Sequence, residues 1–298
     1  MTPLVPAAGG AAGPPAPAAL ATLFIVATPI GNLEDLSHRA ERILGEVAHV
    51  AAEDTRRTGL LLKHLGLKSD LISLHAHNEA GRVETLLGWL DAGEDVALVT
   101  DAGTPLVSDP GGRVVEAVAA GGHTVVPIPG PSAPLAALVA SGLPADRFAF
   151  LGFVPRKGPE RASTLDRVAG SQETCILFES PERLVALLES LAESCGGGRR
   201  AAVGRELTKL HEDFRRGTVA ELHRYYSEEK PRGEITVVVE AAPEGQEEAD
   251  PEYVRERAAA LLKGGMRPSA VARELAREAG ISRNQAYAIV QELKGVSD

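Results

Sequence analysis

This chain has little that could be cross-linked, stacked or threaded through a membrane. Two cysteines, Cys175 and Cys195, occur in 298 residues. Their spacing fits no metal motif and makes no disulfide framework, so a reduced, intracellular protein is the simplest expectation. Aromatics are 4% of the chain against 44% hydrophobic residues overall, so the cores must be built from Ala, Leu and Val. No apolar run approaches the roughly 18 residues of a membrane span. The first 21 residues are mostly Ala, Pro and Gly and contain no Lys or Arg. A secretory signal needs a positive start, and this stretch reads instead as a disordered tail.

Several catalytic signatures are also missing. No G-x-G-x-x-G follows the first expected strand, and there is no G-x-x-x-x-G-K-[ST], no H-E-x-x-H and no paired-cysteine motif. The usual dinucleotide fingerprint, an NTP P-loop and a zinc site are therefore not expected. Ser132 lies in G-P-S-A-P, not in a G-x-S-x-G elbow. Net charge is −10, from 31 basic and 41 acidic residues. That argues against a generic polyanion binder but leaves room for a local basic face.

What the chain does have is a β-α rhythm. Strands are expected at Leu23–Ala27, His49–Ala52, Leu71–Leu74, Val96–Thr100 and Thr124–Ile128. Helical patterns separate them at Leu36–Leu44, Thr58–Leu65, Val83–Leu90 and Val114–Ala120, and a small-residue helix, Leu135–Ser141, closes this half. Five such repeats predict a largely parallel sheet with helices on both faces. The polar and glycine-rich residues follow the strands, which puts one functional edge on the sheet, where open α/β folds bind ligands. The clearest case is Asp95–Gly112: a buried β-branched run, then Asp101-Ala102-Gly103-Thr104-Pro105 and Ser108-Asp109-Pro110-Gly111-Gly112. Small residues let a backbone approach a ligand, although an ordinary β-α turn has the same composition. These loops suit a small zwitterionic or nucleoside ligand held by backbone groups.

The second half predicts another α/β domain with a mixed sheet. Its expected strands are Phe148–Phe153, Thr174–Phe178, Ala201–Gly204 and Gly233–Glu240, and its helices Glu182–Glu193 and Val219–Tyr226. Ala241–Pro251 is an acidic linker. Beyond it the pattern is helical: Ser269 as cap for Ala270–Ala279, Gly280 as its stop, and Ser282 with Gln285 as a capping box opening Arg283–Leu293. Two helices around a three-residue turn match a helix-turn-helix. From Glu252 to Lys294 there are eight basic and five acidic residues, which fits either nucleic-acid contact or a small helical cap. The expected organisation is a tail at 1–21, α/β domains at 22–143 and 144–241, a linker at 242–251 and a helical segment at 252–298.

Taken together, VATPIGNLEDL (26–36), AAEDTRRTGLLL (51–62), HAHNE (75–79), VTDAGTPLVSDPG (99–111), PIPGPSA (127–133), GFVPRK (152–157), FESP (178–181), RELTK with HE (205–212) and GEITVVVE (233–240) resemble the tetrapyrrole-methylase-like superfamily. Within it they are similar to the branch that methylates the 2′-oxygen of a cytidine in 16S ribosomal RNA. The resemblance runs in order from about Leu23 to Ala241 and does not include the Ala/Pro/Gly lead. It implies two α/β domains with S-adenosylmethionine folded into the cleft between them, a homodimer, a cytoplasmic location and the 30S subunit as partner. It implies cofactor contacts from Asp101, Ala102, Gly103, Thr104, Pro105, Ser108, Gly130, Ser132 and Ala133 in the first domain. In the second it implies Phe178, Glu179, Leu207, Gly233, Glu234 and Ile235.

Methyl transfer from a sulfonium is an in-line displacement that needs no metal. The 2′-hydroxyl is a poor nucleophile, so positioning must supply much of the rate, and a general base would add to it. Asp54, His75, His77, Glu79 and Glu179 are the base candidates near strand ends, with Asp54 and the two histidines favoured. Asp54 can equally be a helix cap paired to Arg56 or Arg57. Asn32, Arg56, Arg57, Arg156, Lys157, Arg205 and Lys209 are the candidates for RNA contact, with solvated surface or internal ion pairs as the alternative for the cations. Two rival functions are a tetrapyrrole methyltransferase of the same fold and a non-catalytic RNA-binding factor.

Overall fold

The structure, a computed structural model, describes residues 21–243, 250–279, 281 and 283–295. They fall into two compact units: the chain up to Thr28 with Leu36–Gly130, and Pro29–Asp35 with the chain from Pro131 onward. The expected tail, most of the acidic linker, the Gly280 stop and the Ser282 half of the capping box lie outside the described residues.

In the first unit β1 (Thr22–Val26), β2 (His49–Ala52), β3 (Asp70–Ser73), β4 (Val96–Val99) and β5 (Thr124–Ile128) form one sheet in the order β3-β2-β4-β1-β5. Every pairing is parallel. Helices α1 (His38–Glu46), α2 (Thr55–His64), α3 (Glu79–Asp91) and α4 (Gly112–Ala120) connect the strands. Side chains alternate across a strand, and both faces of this sheet are covered. Ala97 and Val99 join Leu44 and Leu62 in one core, while Val96 and Leu98 join Leu86, Leu90, Val114 and Val118 in the other.

The second unit has β6 (Phe148–Phe153), β7 (Thr174–Glu179), β8 (Arg200–Arg205), β9 (Asp213–Thr218) and β10 (Ile235–Val239) in the order β6-β7-β10-β8-β9. Only β6–β7 is parallel, so the sheet is mixed as expected. One face packs on α6 (Pro159–Gly170), α7 (Leu184–Cys195) and α8 (Val219–Glu228) through Val168, Leu187, Leu188 and Leu222. The other face, with Ile176, Ala202 and Val238, is covered by Ala137 and Leu138 of α5 (Ala133–Ser141) and by Ile30. Helix α5 therefore packs on the second sheet, not the first, and so does the Pro29–Asp35 loop. This unit accordingly begins ahead of residue 144.

Two elements had no counterpart in the sequence reading. Strand β9 reads DFRRGT and carries one large apolar residue, and α6 buries only Val168. At the C-terminal end α9 (Pro251–Lys263), α10 (Pro268–Ala279) and α11 (Arg283–Gly295) share a core of Val254, Ala258, Val271, Leu275, Ala286 and Val290. Helix α10 begins at Pro268, and the Ala270 and Val271 amides bond to the Arg267 carbonyl. Ser269 thus sits inside the first turn and is not its cap, because proline suits the first helical position. Arg255 pairs with Glu292 and Arg257 with Glu278 across these helices, which neutralises two of the basic residues counted there. Among the described residues no helix is long and apolar enough to cross a membrane.

Candidate functional site

Strand β4 ends at Val99 and delivers Thr100 and Asp101 to the carboxyl edge of the first sheet. Thr28, just past β1, and Gly103 exchange two backbone hydrogen bonds of 2.9 and 3.0 Å. The Thr28 hydroxyl also donates to the Thr100 carbonyl at 3.1 Å. This lashes the loops after β1 and β4 together. Asp101 Oδ1 accepts the Asp54 amide at 3.0 Å, and Arg57 Nη1 stands 3.5 Å from Oδ2. Burial, and then repulsion from Glu53, push the Asp101 carboxyl above its ordinary value.

The loop that follows is wound tightly. Leu106 and Ser108 adopt φ of 72° and 70°, a region that non-glycine residues rarely enter and that clusters at binding sites. Its far end is held by Glu79, whose Oε1 accepts the Gly111 and Arg113 amides at 3.2 and 2.8 Å at the start of α4. In HAHNE, Glu79 thus caps a helix and Asn78 closes the local turn by accepting the His75 amide at 2.8 Å. The His75 and His77 rings lie 6.1 Å apart, and His75 Nδ1 is buried without a hydrogen bond among the described residues.

Asp54 turns out to be the helix cap. Its Oδ1 accepts the Arg56 amide at 2.9 Å at the start of α2, and its two oxygens take Arg56 Nε and Nη2 at 3.0 and 2.6 Å. The Arg56 guanidinium holds this carboxyl far below the usual carboxylate range. A carboxylate so weakly basic is a poor general base, so the expectation that Asp54 takes the proton is not what its geometry supports. Arg56 is likewise committed to Asp54.

In the second unit, sheet register gathers three motifs at one end. Ile235 of β10 stands opposite Glu179 on β7 and Arg205 on β8. This brings Phe178, Glu179, Leu207, Gly233, Glu234 and Ile235 to one place. Glu206 donates its amide to the Glu234 carbonyl at 2.9 Å and accepts the Glu234 amide on Oε1 at 2.8 Å. Lys209 Nζ lies 2.9 Å from Glu206 Oε1 and 3.2 Å from Glu234 Oε2. Lys209 is therefore consumed by an internal network and is not available to phosphate as the sequence suggested. Arg205 is half-buried with its Nη1 3.5 Å from the Arg232 carbonyl. Asn32 is also half-buried, its Oδ1 accepting the Glu34 amide at 3.1 Å to open the Leu33–Asp35 turn. Glu179 has no exposed side-chain surface; its Oε1 accepts the Ser180 amide at 2.8 Å and Arg183 Nη2 stands 3.0 Å from Oε2. Burial pushes its carboxyl up.

Residues 22–223 match the family of Tetrapyrrole (Corrin/Porphyrin) Methylases. The chain is 44% identical over 273 residues to the Ribosomal RNA small subunit methyltransferase I of Synechocystis sp., which covers 91% of this chain and 98% of that protein. This chain belongs to the tetrapyrrole methylases, in their ribosomal RNA small subunit methyltransferase I branch. The protein of that name from Pseudomonas aeruginosa is 48% identical over 238 residues, 78% of this chain and 84% of that one. Among solved structures, the Thermus thermophilus uroporphyrin-III C-methyltransferase complexed with S-adenosylhomocysteine matches with a TM-score of 0.51 at 21% identity. It covers 73% of this chain and 96% of that one, a likeness that shows the fold.

Three side chains beside the loops of the first sheet's carboxyl edge were not among the expected site residues. Glu53 lies in EDTR, Thr100 and Asp109 lie in VTDAGTPLVSDPG, and they converge: Thr100 Oγ1 is 2.7 Å from both Glu53 Oε2 and Asp109 Oδ2. Their motif membership was the available signal.

Proposed function

We propose that this protein methylates small-subunit ribosomal RNA with S-adenosylmethionine, at the 2′-oxygen of a cytidine in 16S rRNA. The observation that carries small-subunit rRNA methylation is the 44% identity to the Ribosomal RNA small subunit methyltransferase I of Synechocystis sp. over 98% of its length, and the cytidine 2′-oxygen rests on the motif resemblance alone. S-adenosylmethionine supplies an electrophilic methyl on a sulfonium. The residues present fit such a ligand. Asp101 keeps acceptor capacity on Oδ2 for an ammonium or ribose hydroxyls, and Ala102 and Gly130 are exposed and small. A Cβ on Gly130 would sit 3.0 Å from the Ala27 side chain. Thr104, Pro105 and Ser108 are further proposed contacts in the first unit, and Ser132, Ala133 and the six gathered residues are those proposed in the second.

In the reaction the ribose oxygen forms its bond to the methyl carbon as the carbon–sulfur bond breaks. A neutral thioether leaves and the hydroxyl proton is lost. His75 and His77 are our candidates to accept that proton, Asp54 serving to orient Arg56 and α2. Arg156 and Lys157 are exposed and make no hydrogen bond or ion pair among the described residues, which supports them as phosphate contacts. Arg57 is a further one, with its guanidinium two-thirds exposed. The exposed Leu135 and Val139 on α5 support a contact between two copies of the chain. An rRNA substrate implies work in the cytoplasm.

The test is transfer of labelled methyl from S-adenosylmethionine to 30S subunits that lack 2′-O-methylation, with the product mapped. Label on one cytidine ribose of 16S rRNA is the expected result. Label on a uroporphyrinogen-type substrate instead would favour the tetrapyrrole reading, and cofactor binding without transfer would favour a non-catalytic factor.

A further inference from the structure

Phe153 stands at the end of β6 with 60% of its surface exposed, one of only six phenylalanines in the chain. Single exposed apolar residues are ordinary; this one is built into place. The β6–β7 pairing shifts register between Phe150 and Phe153, and Gly152 within the irregularity has φ 64°. Such bulges re-aim side chains and recur beside functional sites. The Phe153 ring packs on Phe178 with centroids 5.4 Å apart, and Phe178 meets Phe150 edge-on at 4.9 Å. Two rings thus brace the third while it stays open to solvent.

The chain beyond it is pinned as well. Val154 is buried, Arg183 donates to its carbonyl, and Arg161 Nη1 donates to the Pro155 carbonyl at 3.3 Å. Two arginines are thereby spent on holding the backbone of this short loop. Immediately after it come Arg156 and Lys157, exposed and without a hydrogen bond or ion pair among the described residues. In a chain of net charge −10, two exposed cations within four residues of a braced, exposed ring form a distinctive pairing.

We propose that Phe153 is a stacking platform for an unpaired nucleobase of the RNA substrate, with Arg156 and Lys157 on the phosphates beside it. The inference rests on the proposed rRNA reading and adds a positioning residue to it. Unpaired RNA presents π-faces flanked by regularly spaced negative charge, which is what a rigid ring beside two cations complements. Preorganisation of the ring limits the entropy lost on binding.

The experiment compares full-length wild type with Phe153→Ala, Phe153→Leu and Phe153→Tyr. Readouts are KM for unmethylated 30S subunits and affinity for a single-stranded oligoribonucleotide carrying 2-aminopurine, whose fluorescence falls on stacking. Phe153→Ala should weaken both by about 5- to 150-fold, the range for loss of one base–aromatic stack. Phe153→Tyr should restore both, while Phe153→Leu, which keeps apolar area without a ring, should not. S-adenosylmethionine affinity, melting temperature and sedimentation should be unchanged. Wild-type behaviour of Phe153→Ala, or a leucine as good as a tyrosine, overturns the stacking role and leaves the rRNA reading intact. A change in sedimentation would make this face a contact between copies, also against the proposal. Absence of methyl transfer to any rRNA by the wild type would overturn the underlying reading itself.

Discussion

Glu53 and Asp109 lie on either side of the Thr100 hydroxyl, each with a carboxylate oxygen 2.7 Å from Oγ1. A hydroxyl has one hydrogen to donate. The hydroxyl thus bridges two carboxyl groups beneath the loop that begins at Asp101. Burial, together with the neighbouring Glu53 and Asp101 charges, raises the Asp109 carboxyl above its ordinary value.

This gives a pH dependence with a definite sign. A carboxyl raised in the folded state stabilises the fold fully below the ordinary carboxylate range, and that contribution is lost as pH rises through the raised value. Asp109→Asn removes the charge and supplies an amide donor. Its melting temperature should exceed that of the wild type at alkaline pH and converge with it in acid. Thermal denaturation across a pH series checks this, and Thr100→Val, which removes the bridge, should melt below both at neutral pH.

Asp54 should behave as a cap and ion-pair partner. Asp54→Asn retains an oxygen for the Arg56 amide and should leave methyl transfer within a few-fold of wild type. Asp54→Ala removes cap and partner and should lower the melting temperature. Because the folded carboxyl is depressed by Arg56, the difference between Asp54→Ala and wild type should be largest above the ordinary carboxylate range and shrink in strong acid. A turnover collapse in Asp54→Asn with unchanged cofactor affinity would restore it as a base.

Gly233 and Gly31 each guard a close approach. A Cβ on Gly233 would fall 2.3 Å from the Glu206 carboxyl, at a φ of 83°. Gly233→Ala should cost about 1–3 kcal/mol, the scale of a strained backbone position, measured by urea denaturation. A Cβ on Gly31 would fall 2.3 Å from Lys209 Cγ. Gly31→Ala should therefore displace Lys209 from Glu206 and Glu234, and its cost should shrink in a Lys209→Ala background. Full additivity of the two would show that the contact is not shared.

The only tryptophan, Trp89, stacks on His49 with ring centroids 3.9 Å apart and 6° between planes. His49 Nε2 is held 2.8 Å from Glu94 Oε2. A stacked imidazole quenches indole emission. His49→Leu should brighten Trp89; unaltered emission would mean the stack does not persist in solution.

Elements with a sharp apolar pattern were legible without coordinates. His49–Ala52, Thr124–Ile128 and Phe148–Phe153 fall where their β-branched and aromatic runs put them. The parallel character of the first sheet followed from helices recurring between strands. Strand β9 and helix α6 were not legible, because DFRRGT and PERASTLDRVAG bury so little that neither period stands out. The site was legible as a set of loops after strands, since glycine, proline and short polar residues mark places where backbone comes close to a ligand or to itself.

What those residues do once folded was a different matter. Sequence alone carried the family motifs, the strand–helix alternation and the charge balance, because each is written in local order and composition. Only tertiary structure decided that α5 and Ile30 cover the second sheet, since that depends on which apolar face was left open. Only it decided that Lys209 answers to Glu234, and that Glu53 and Asp109 meet across the Thr100 hydroxyl. Those partners are 25 and 56 positions apart in the chain, and no local spacing encodes a distance that strand order and register alone create.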